Sequence, residues 1–132
     1  MPHTINKYKD LRILIAEDDE LSYLYTKIIL KSITKNFARV KTGEEVFQYL
    51  ETEPVDILLL DVNLPDVSGL EVAKVLFEKY PTLGIILNSA FLLKDECENV
   101  MKSSNFQYLS KPLEKKKMLE AIEKILISVD NN

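Results

Sequence analysis

Cysteine and histidine, which carry much of enzyme and metal chemistry, are nearly absent from this chain of 132 residues. Its one cysteine is Cys97, and its one histidine is His3, close to the amino terminus. A single cysteine excludes an internal disulfide and a multi-cysteine metal site. A single histidine at the terminus argues against Ser-His-Asp or Cys-His catalysis within the chain. Any histidine that hands a chemical group to this chain must therefore come from another molecule or from another part of a larger protein.

Long apolar runs and one-sided positive charge are also missing. No apolar run approaches the roughly 20 residues that span a bilayer, and the polar first ten residues do not look like a signal peptide. The net charge is −4, with both signs spread along the chain, which argues against a nucleic-acid-binding surface. We therefore expect a cytoplasmic protein that contacts neither a membrane nor nucleic acid directly.

Apolar and helical segments alternate along the chain, and 46% of its residues are hydrophobic, which is enough for one substantial core. Short apolar runs bounded by polar residues or breakers predict five strands. They cover residues 12–16, 37–40, 55–60, 83–87 and 106–109. No internal repeat, linker or low-complexity segment interrupts the pattern, and we therefore expect one domain.

Five helices are predicted between and after these strands. Leu21, Leu24, Tyr25 and Ile28 recur at helical spacing in the first helix. Capping boxes at residues 42–45 and 68–71 open the second and third helices. A fourth helix is expected around residues 95–102. The last helix has an apolar face made of Met118, Leu119, Ile122, Ile125, Leu126 and Val129.

This alternation predicts the fold class. Buried apolar strands joined by helical crossovers form a parallel sheet with helices on both faces. The chain is therefore predicted to be a doubly wound α/β domain. Sheets of this kind place their functional sites beyond the carboxyl ends of the strands.

Polar residues that suit one site follow four of the predicted strands. The first strand ends in Glu17 and Asp18, the third ends in Asp61, the fourth runs into Ser89, and the fifth runs into Lys111. Clustered carboxylates repel one another and need a cation, and hard oxygen ligands suit Mg²⁺. A carboxylate can also act as a nucleophile that forms an aspartyl phosphate, and a lysine could balance the phosphoryl charge.

Four segments of the sequence resemble the receiver domains of two-component response regulators. ILIAEDD at residues 13–19 looks like the acidic first loop of that family, and LLDVNLPDVSGL at residues 59–70 looks like its phosphoacceptor segment. NSA at residues 88–90 matches the position of the switch hydroxyl, and KP at residues 111–112 matches the lysine-proline pair. The resemblance runs from about residue 11 to residue 129, and the four motifs in this order are highly specific.

The resemblance implies a role for each residue of the site. Asp61 would be the phosphoacceptor. Asp18, Asp61 and the backbone carbonyl of Asn63 would bind Mg²⁺ directly, and Glu17 would act mostly through a metal-bound water. Lys111 would pair with the phosphoryl group.

The resemblance also implies a switch. Ser89 would move toward the phosphoryl group, and Tyr108 matches the aromatic residue whose rotation reports activation. The peptide bond between Lys111 and Pro112 would be cis. Asp19 lies one position past the metal-binding pair and is a candidate cap for the first helix. Residues 103–106 (SSNF) depart from the family, whose members usually have a small Gly-Ala turn there.

The implied fold is flavodoxin-like, a (βα)₅ unit with strand order 2-1-3-4-5. The implied function is Mg²⁺-dependent transfer of a phosphoryl group to Asp61 from the phosphohistidine of a sensor histidine kinase or histidine phosphotransfer protein. The face made by the predicted fourth helix, the fifth strand and the fifth helix would then change for a downstream protein partner.

The chain would be a single receiver domain over residues 1–132, with its core at about residues 11–129 and no output domain. It would be a monomer or weak homodimer, and not an enzyme beyond slow self-dephosphorylation.

Other functions fit the residues less well. A phosphatase of the haloacid dehalogenase type needs a second aspartate two residues after the nucleophile, where this chain has Asn63. A flavin-binding module needs a phosphate-cradling loop after the first strand, where this chain has four acids at residues 17–20. A receiver that is never phosphorylated is a third alternative, although no site residue is missing. The chain could also be the receiver module of a hybrid sensor histidine kinase instead of a stand-alone regulator.

Overall fold

The structure, a computed structural model, describes residues 8–90 and 103–130. Its strands are β1 (Arg12–Ala16), β2 (Asn36–Val40), β3 (Ile57–Asp61), β4 (Gly84–Ser89) and β5 (Phe106–Ser110). Its helices are α1 (Glu20–Lys31), α2 (Gly43–Thr52), α3 (Gly69–Lys79) and α4 (Lys115–Asp130). The helix predicted around residues 95–102 lies outside the described residues, together with His3 and Cys97. The helix α4 is therefore the last of the five that the sequence predicts.

The five strands form one parallel sheet in the order β2-β1-β3-β4-β5, which confirms the predicted fold class and strand order. The bounds of β1 are as predicted, and those of the other four strands differ by one or two residues. At the carboxyl edge, β3 extends through Asp61 and β4 extends through Ser89. The ladder continues there because the backbone N–H of Val62 donates to the carbonyl of Asn88, and that of Lys111 donates to the carbonyl of Ser89. Several predicted site residues thus lie in or directly beside the ladder, on a rigid part of the backbone.

Each face of the sheet has its own apolar core, as expected for a sheet covered by helices on both sides. On one face, alternate residues of β1, β3 and β4 pack against α2 and α3, with Val46, Ala73 and Leu76 fully buried. On the other face, the remaining strand residues pack against α1 and α4, with Leu30 and Ile122 fully buried. The fully apolar run of β3 is buried on both faces, which explains why it shows no alternation in the sequence.

The two predicted capping boxes have different outcomes. At α2 the box is confirmed, because the hydroxyl of Thr42 accepts from the N–H of Glu45 and the carboxylate of Glu45 accepts from the N–H of Thr42. At α3 the box was wrong, although Ser68 is the N-cap. Its hydroxyl accepts from the N–H of Leu70 at 3.2 Å, and the carboxylate of Glu71 pairs with Lys74 instead.

The helix α1 is confirmed, but the apolar residues that predicted it do not face the core. Leu21 and Ile28 are 77% and 70% exposed, and Leu24 and Tyr25 are about half exposed. The helix is held to the sheet by a different set, in which Ile29 and Leu30 are buried. One face of α1 is therefore an apolar stripe that the described part of the chain leaves uncovered.

The segment at residues 103–106 is ordered by one buried side chain. The amide of Asn105 donates to the carbonyls of Pro81 and Leu83, both at 3.0 Å, and its oxygen accepts from the hydroxyl of Ser103. These bonds connect the start of β5 to the start of β4, so the departure from a small Gly-Ala turn is absorbed locally. Within residues 8–90 and 103–130, no helix has the length and apolar character needed to cross a bilayer.

Candidate functional site

Buried polar residues gather at the carboxyl edge of the sheet. Glu17, Asp61, Asn88 and Ser89 are each 1–3% exposed, although each has a polar side chain. The register pairs Asp61 with Asn88 across β3 and β4, and β1 lies on the other side of β3. Since buried carboxylates are costly unless they are paired, this edge is built for something other than stability.

Lys111 is the cation that faces these carboxylates. Its Nζ lies 3.0 Å from Oε1 of Glu17 and 3.3 Å from Oδ1 of Asp61, and it is 3.5 Å from the hydroxyl oxygen of Ser22. The peptide bond that joins Lys111 to Pro112 is cis, as predicted. The structure thus brings together three of the predicted site residues, from β1, β3 and the loop after β5.

The charges at this edge do not balance. The pKa of Glu17 is raised, mainly because the carboxyl group is buried. Lys111 lowers this pKa and the charge of Asp61 raises it, but the net shift is upward. Burial on its own lowers the pKa of Lys111, but Glu17 and Asp61 outweigh it, and the pKa is raised above its ordinary value. Among the described residues, one ammonium therefore serves two buried carboxylates and stays protonated, and these three side chains together retain an excess of negative charge.

One carboxylate oxygen of Asp61 is an unsatisfied hydrogen-bond acceptor among the described residues. Oδ1 is buried and receives no hydrogen bond from residues 8–90 and 103–130, and Nζ of Lys111 is 3.3 Å away. A buried acceptor without a donor is unfavourable and calls for an explanation. A hard divalent cation would satisfy it, because carboxylate oxygens are the ligands that Mg²⁺ prefers. The site therefore fits Mg²⁺ by its chemistry.

The other predicted metal ligands are less closely gathered. Asp18 is exposed on the loop between β1 and α1, and its carbonyl accepts from Arg39. Asn63 is exposed in the turn after β3, where it forms an isolated bridge with Ser68. Within residues 8–90 and 103–130, no three acidic, histidine or cysteine side chains already form a metal-binding group. The metal-binding roles of these residues therefore stay predictions.

Asp19 caps the helix α1, as predicted. Its Oδ2 accepts from the N–H of Ser22 at 2.8 Å, and this bond holds the pKa of Asp19 below its usual value. Its own N–H donates to Oε2 of Glu17 at 3.1 Å. Asp19 therefore helps to hold the acidic loop, and its absence from the metal ligands stays a prediction.

A tight turn places the start of α3 against the backbone of Asp61. The N–H of Gly69 donates to the carbonyl of Val62 at 2.8 Å. A Cβ atom at position 69 would lie 2.2 Å from the carbonyl oxygen of Asp61, so only glycine fits there. The close approach keeps the loop that carries Asn63 folded over the end of β3.

The predicted switch residues lie on β4, the strand next to that of Asp61, and on β5, one strand further along the sheet. Ser89 is buried at the end of β4, and its carbonyl accepts from the N–H of Lys111 at 2.8 Å. Tyr108 is half-buried on β5 and packs against the apolar core between the sheet and the helices α2 and α3. Their positions agree with the prediction, and their roles as a switch stay a prediction.

Two residues that organise the site's loops were not predicted from the sequence. Arg39, on β2, donates to the backbone of the acidic loop, and Asp66 accepts from the N–H groups of Gly43 and Glu44 at the start of α2. The signal for Arg39 was an arginine inside a short strand with otherwise mostly apolar residues. Asp66 gave no such signal, because an aspartate after proline in a loop is ordinary.

Comparison with known proteins gives the family. The sequence matches the family model for the response regulator receiver domain over residues 13–123. It is 29% identical over 116 residues to the polar-differentiation response regulator DivK of Brucella ovis, which covers 86% of this chain and 94% of DivK. It is 31% identical over 112 residues to the DNA-binding transcriptional regulator NtrC of Proteus hauseri, which covers 83% of this chain but 23% of NtrC.

A solved structure gives the same result. The chain aligns with the receiver domain protein (CheY-like) of Methanospirillum hungatei with a TM-score of 0.78 and 26% identity, over 92% of this chain and 98% of that one. The family match runs from β1 into α4 and so includes both buried carboxylates and the lysine between them. This chain therefore belongs to the response regulator receiver domain family of two-component signal transduction.

Proposed function

We propose that this chain is a phosphoacceptor and that Asp61 takes a phosphoryl group from a phosphohistidine on a partner protein. The observation that carries the proposal is Oδ1 of Asp61, which is buried, faces Lys111 and receives no hydrogen bond from the part of the chain that the structure describes. A carboxylate oxygen of Asp61 attacks the phosphorus, and the bond from phosphorus to the imidazole nitrogen breaks. The electron pair of that bond stays with the imidazole, and the product is an aspartyl phosphate.

Asp18, Asp61 and the backbone carbonyl of Asn63 would hold Mg²⁺ directly, and Glu17 would hold it through a water. When bound, Mg²⁺ neutralises the charge of the carboxylates and of the phosphoryl oxygens. The donor set supports this assignment, because it consists of oxygen atoms only and one of them is an orphaned buried acceptor.

Lys111 orients and neutralises the incoming group. Its Nζ already lies within 3.3 Å of Asp61, on a backbone fixed by the bond to the carbonyl of Ser89. Because its pKa is raised, it stays protonated over the physiological range. Phosphoryl transfer depends mainly on such positioning and charge neutralisation.

Ser89 and Tyr108 pass the change outward. By analogy with phosphate monoesters, the new group adds roughly −1.5 to −2 charge at Asp61. The hydroxyl of Ser89, which follows the register partner of Asp61 on β4, donates to a phosphoryl oxygen, and Tyr108 moves into the space that this leaves. The surface of β5 and α4 then changes, together with the predicted helix around residues 95–102, which lies outside the described residues. This is a two-state element that a local charge biases.

The phosphodonor approaches along α1. Beside Lys111 a groove of about 480 Å³ is lined mainly by apolar atoms, including those of Leu21, Tyr25 and Pro112. The groove continues into the exposed stripe of α1, where Leu21 and Ile28 are 77% and 70% exposed. An apolar surface of this kind fits an amphipathic helix, and one end of it lies beside the lysine that faces Asp61.

The same chemistry would serve a stand-alone regulator and the receiver module of a hybrid sensor histidine kinase. The aligned region covers 94% of the length of DivK but 23% of the length of NtrC. The proposal therefore concerns the receiver module, and the activity of a whole protein depends on what accompanies it.

A labelled small phosphodonor tests the acceptor directly. Incubation with radioactive phosphoramidate and Mg²⁺ is expected to label the wild type and Asp56→Asn, but not Asp61→Asn. Asp56 is a matched control because it is an aspartate next to the same strand, at the opposite end of the sheet. Acid-stable label, or label retained by Asp61→Asn, would refute the proposal.

A further inference from the structure

Arg39 makes two contacts with the loop that joins β1 to α1 and two with the first residues of α1. Its Nε donates to the carbonyl of Glu17 at 3.0 Å, and its Nη2 donates to the carbonyl of Asp18 at 3.3 Å. Its Nη1 pairs with the carboxylate of Glu20 at 3.0 Å. The guanidinium also stacks on the ring of Tyr23, 4.2 Å from the ring centre. One side chain on β2 thus contacts almost the whole acidic turn.

The geometry of these contacts fixes the backbone of the loop. The two carbonyls belong to consecutive residues, and a planar fork of N–H groups can hold both only in one arrangement. The Arg39 side chain is 13% exposed, so the guanidinium itself is largely shielded from water, whereas its partner Glu20 is 66% exposed. The N–H of Glu17 also donates to the carbonyl of Val40 at 3.0 Å, next to Arg39 on the same strand.

Lys41, two residues further along, has the same charge but not the same role. Its Nζ is 3.5 Å from the same Glu20 carboxylate, and its side chain is 56% exposed. Among the contacts that the structure describes for its side chain, none reaches the backbone of residues 17–19. Lys41 therefore supplies a positive charge near the acidic loop without holding the loop in place.

We propose that Arg39 is a positioning residue for the metal site, because it holds the backbone that presents Glu17 and Asp18. The inference rests on the proposed function, since Mg²⁺ is the ligand that these carboxylates would bind. Arg39 does not touch the metal or the phosphoryl group. It binds the backbone carbonyls of both residues, so that the loop needs less ordering when the cation binds.

Two effects of Arg39 on Mg²⁺ binding have opposite signs, and this makes the proposal testable. As a positive charge near a cation site, Arg39 repels Mg²⁺, and its removal would tighten binding. As a positioning residue, it prepares the site, and its removal would weaken binding. Lys41 has only the first effect. Arg39→Gln and Lys41→Gln are therefore expected to change the affinity for Mg²⁺ in opposite directions.

The experiment is a calorimetric titration of the full chain with Mg²⁺ alone, without phosphodonor. Loss of a residue that supports metal ligands typically weakens binding by about tenfold or more, and this is expected for Arg39→Gln. Lys41→Gln is expected to bind as tightly as the wild type or slightly tighter. Arg39→Lys, which keeps the charge but not the fork, is expected to weaken binding by an intermediate factor. Urea unfolding of each variant checks that it is folded, and Arg39→Lys serves as the test if Arg39→Gln is not.

Amide hydrogen exchange gives a second measurement that does not involve the metal. Exchange at residues 17–19 should be faster in Arg39→Gln than in Lys41→Gln. Unchanged or tighter Mg²⁺ binding by Arg39→Gln and by Arg39→Lys would overturn the positioning role while leaving the proposed function intact. Failure of the wild type to bind Mg²⁺ would instead overturn both. Because the wild type is measured first, the two failures are distinguishable.

Discussion

The strand β3 has an aspartate at each end, and the two are held in opposite ways. Asp56, just before the strand, accepts three hydrogen bonds from Arg12: from its backbone N–H at 2.8 Å, from Nε at 3.1 Å and from Nη2 at 2.9 Å. Asp61, at the other end, shares Lys111 with Glu17, and its buried Oδ1 accepts no hydrogen bond from the described residues.

The pKa shifts show the same contrast. Burial on its own raises the pKa of Asp56, but the bonds from Arg12 outweigh it and hold the pKa below its usual value. At the other end of the sheet, burial raises the pKa of Glu17, and its neighbour Asp61 adds to this. The amino edge of the sheet therefore uses a carboxylate for stability. The carboxyl edge keeps its carboxylates short of partners, which leaves them available to a cation and a phosphoryl group at a cost in stability.

Removal of Lys111 should produce the largest loss of stability. In Lys111→Met, Glu17 and Asp61 would be buried side by side without a cation, and a broken buried pair typically costs about 3–5 kcal/mol. Since Lys111 is 21% exposed, we expect about 2–3 kcal/mol at pH 8. The loss should shrink at lower pH, as Glu17 takes up a proton. Urea unfolding at several pH values measures both effects.

Lys117→Met is the matched control for this prediction. Lys117 pairs with Glu114 at 3.4 Å on the surface, with both side chains about 60% exposed. Exposed pairs of this kind contribute about 0–1 kcal/mol, so little change is expected at any pH. Equal losses in the two variants would mean that the carboxyl edge is no more costly than an ordinary surface.

The two aspartates of β3 should respond to neutralisation with opposite signs. Asp61→Asn removes one of two repelling carboxylates from a buried site, and we expect it to stabilise the fold by about 1–2 kcal/mol. Asp56→Asn weakens bonds to Arg12 and should destabilise the fold by about 1 kcal/mol. Urea unfolding of both variants in one buffer without Mg²⁺ makes the comparison. Destabilisation by Asp61→Asn would show that its carboxylate is well satisfied after all.

The sequence alone predicted the parallel sheet and brought Glu17, Asp61 and Lys111 to one edge. It succeeded because buried strands have few alternatives: β3 is fully buried, and parallel strands end at the same edge. It could not show which face of α1 is buried, since Leu21 and Ile28 fit a core as well as a binding surface. It also missed Arg39, because the partners of that side chain are backbone carbonyls 21 and 22 residues away, which no local pattern reveals.

Glu17 and Asp56 should also give opposite pH dependences, although the effect is the smallest of those predicted. The pKa of Glu17 is raised in the folded state, so the folded chain binds more protons than the unfolded chain between the two pKa values. Its ionised form therefore costs stability at neutral pH, and this cost disappears as the pH falls through the folded pKa. The pKa of Asp56 is lowered, so its contribution is present above the unfolded pKa and is lost as the pH falls through the folded one.

Unfolding measured from pH 7 down to pH 4 separates the two carboxylates. Relative to the wild type, Glu17→Gln should be more stable at pH 7, and the difference should shrink as the pH falls, because the wild type then takes up the proton that neutralises Glu17. Asp56→Asn should be less stable at pH 7, and its deficit should begin to shrink only at the acid end of the range. Parallel curves for the two variants would mean that the two edges of the sheet treat their carboxylates alike. If the stability of Glu17→Gln approaches that of the wild type from above and the stability of Asp56→Asn approaches it from below, the differences arise from the protonation of these two carboxylates.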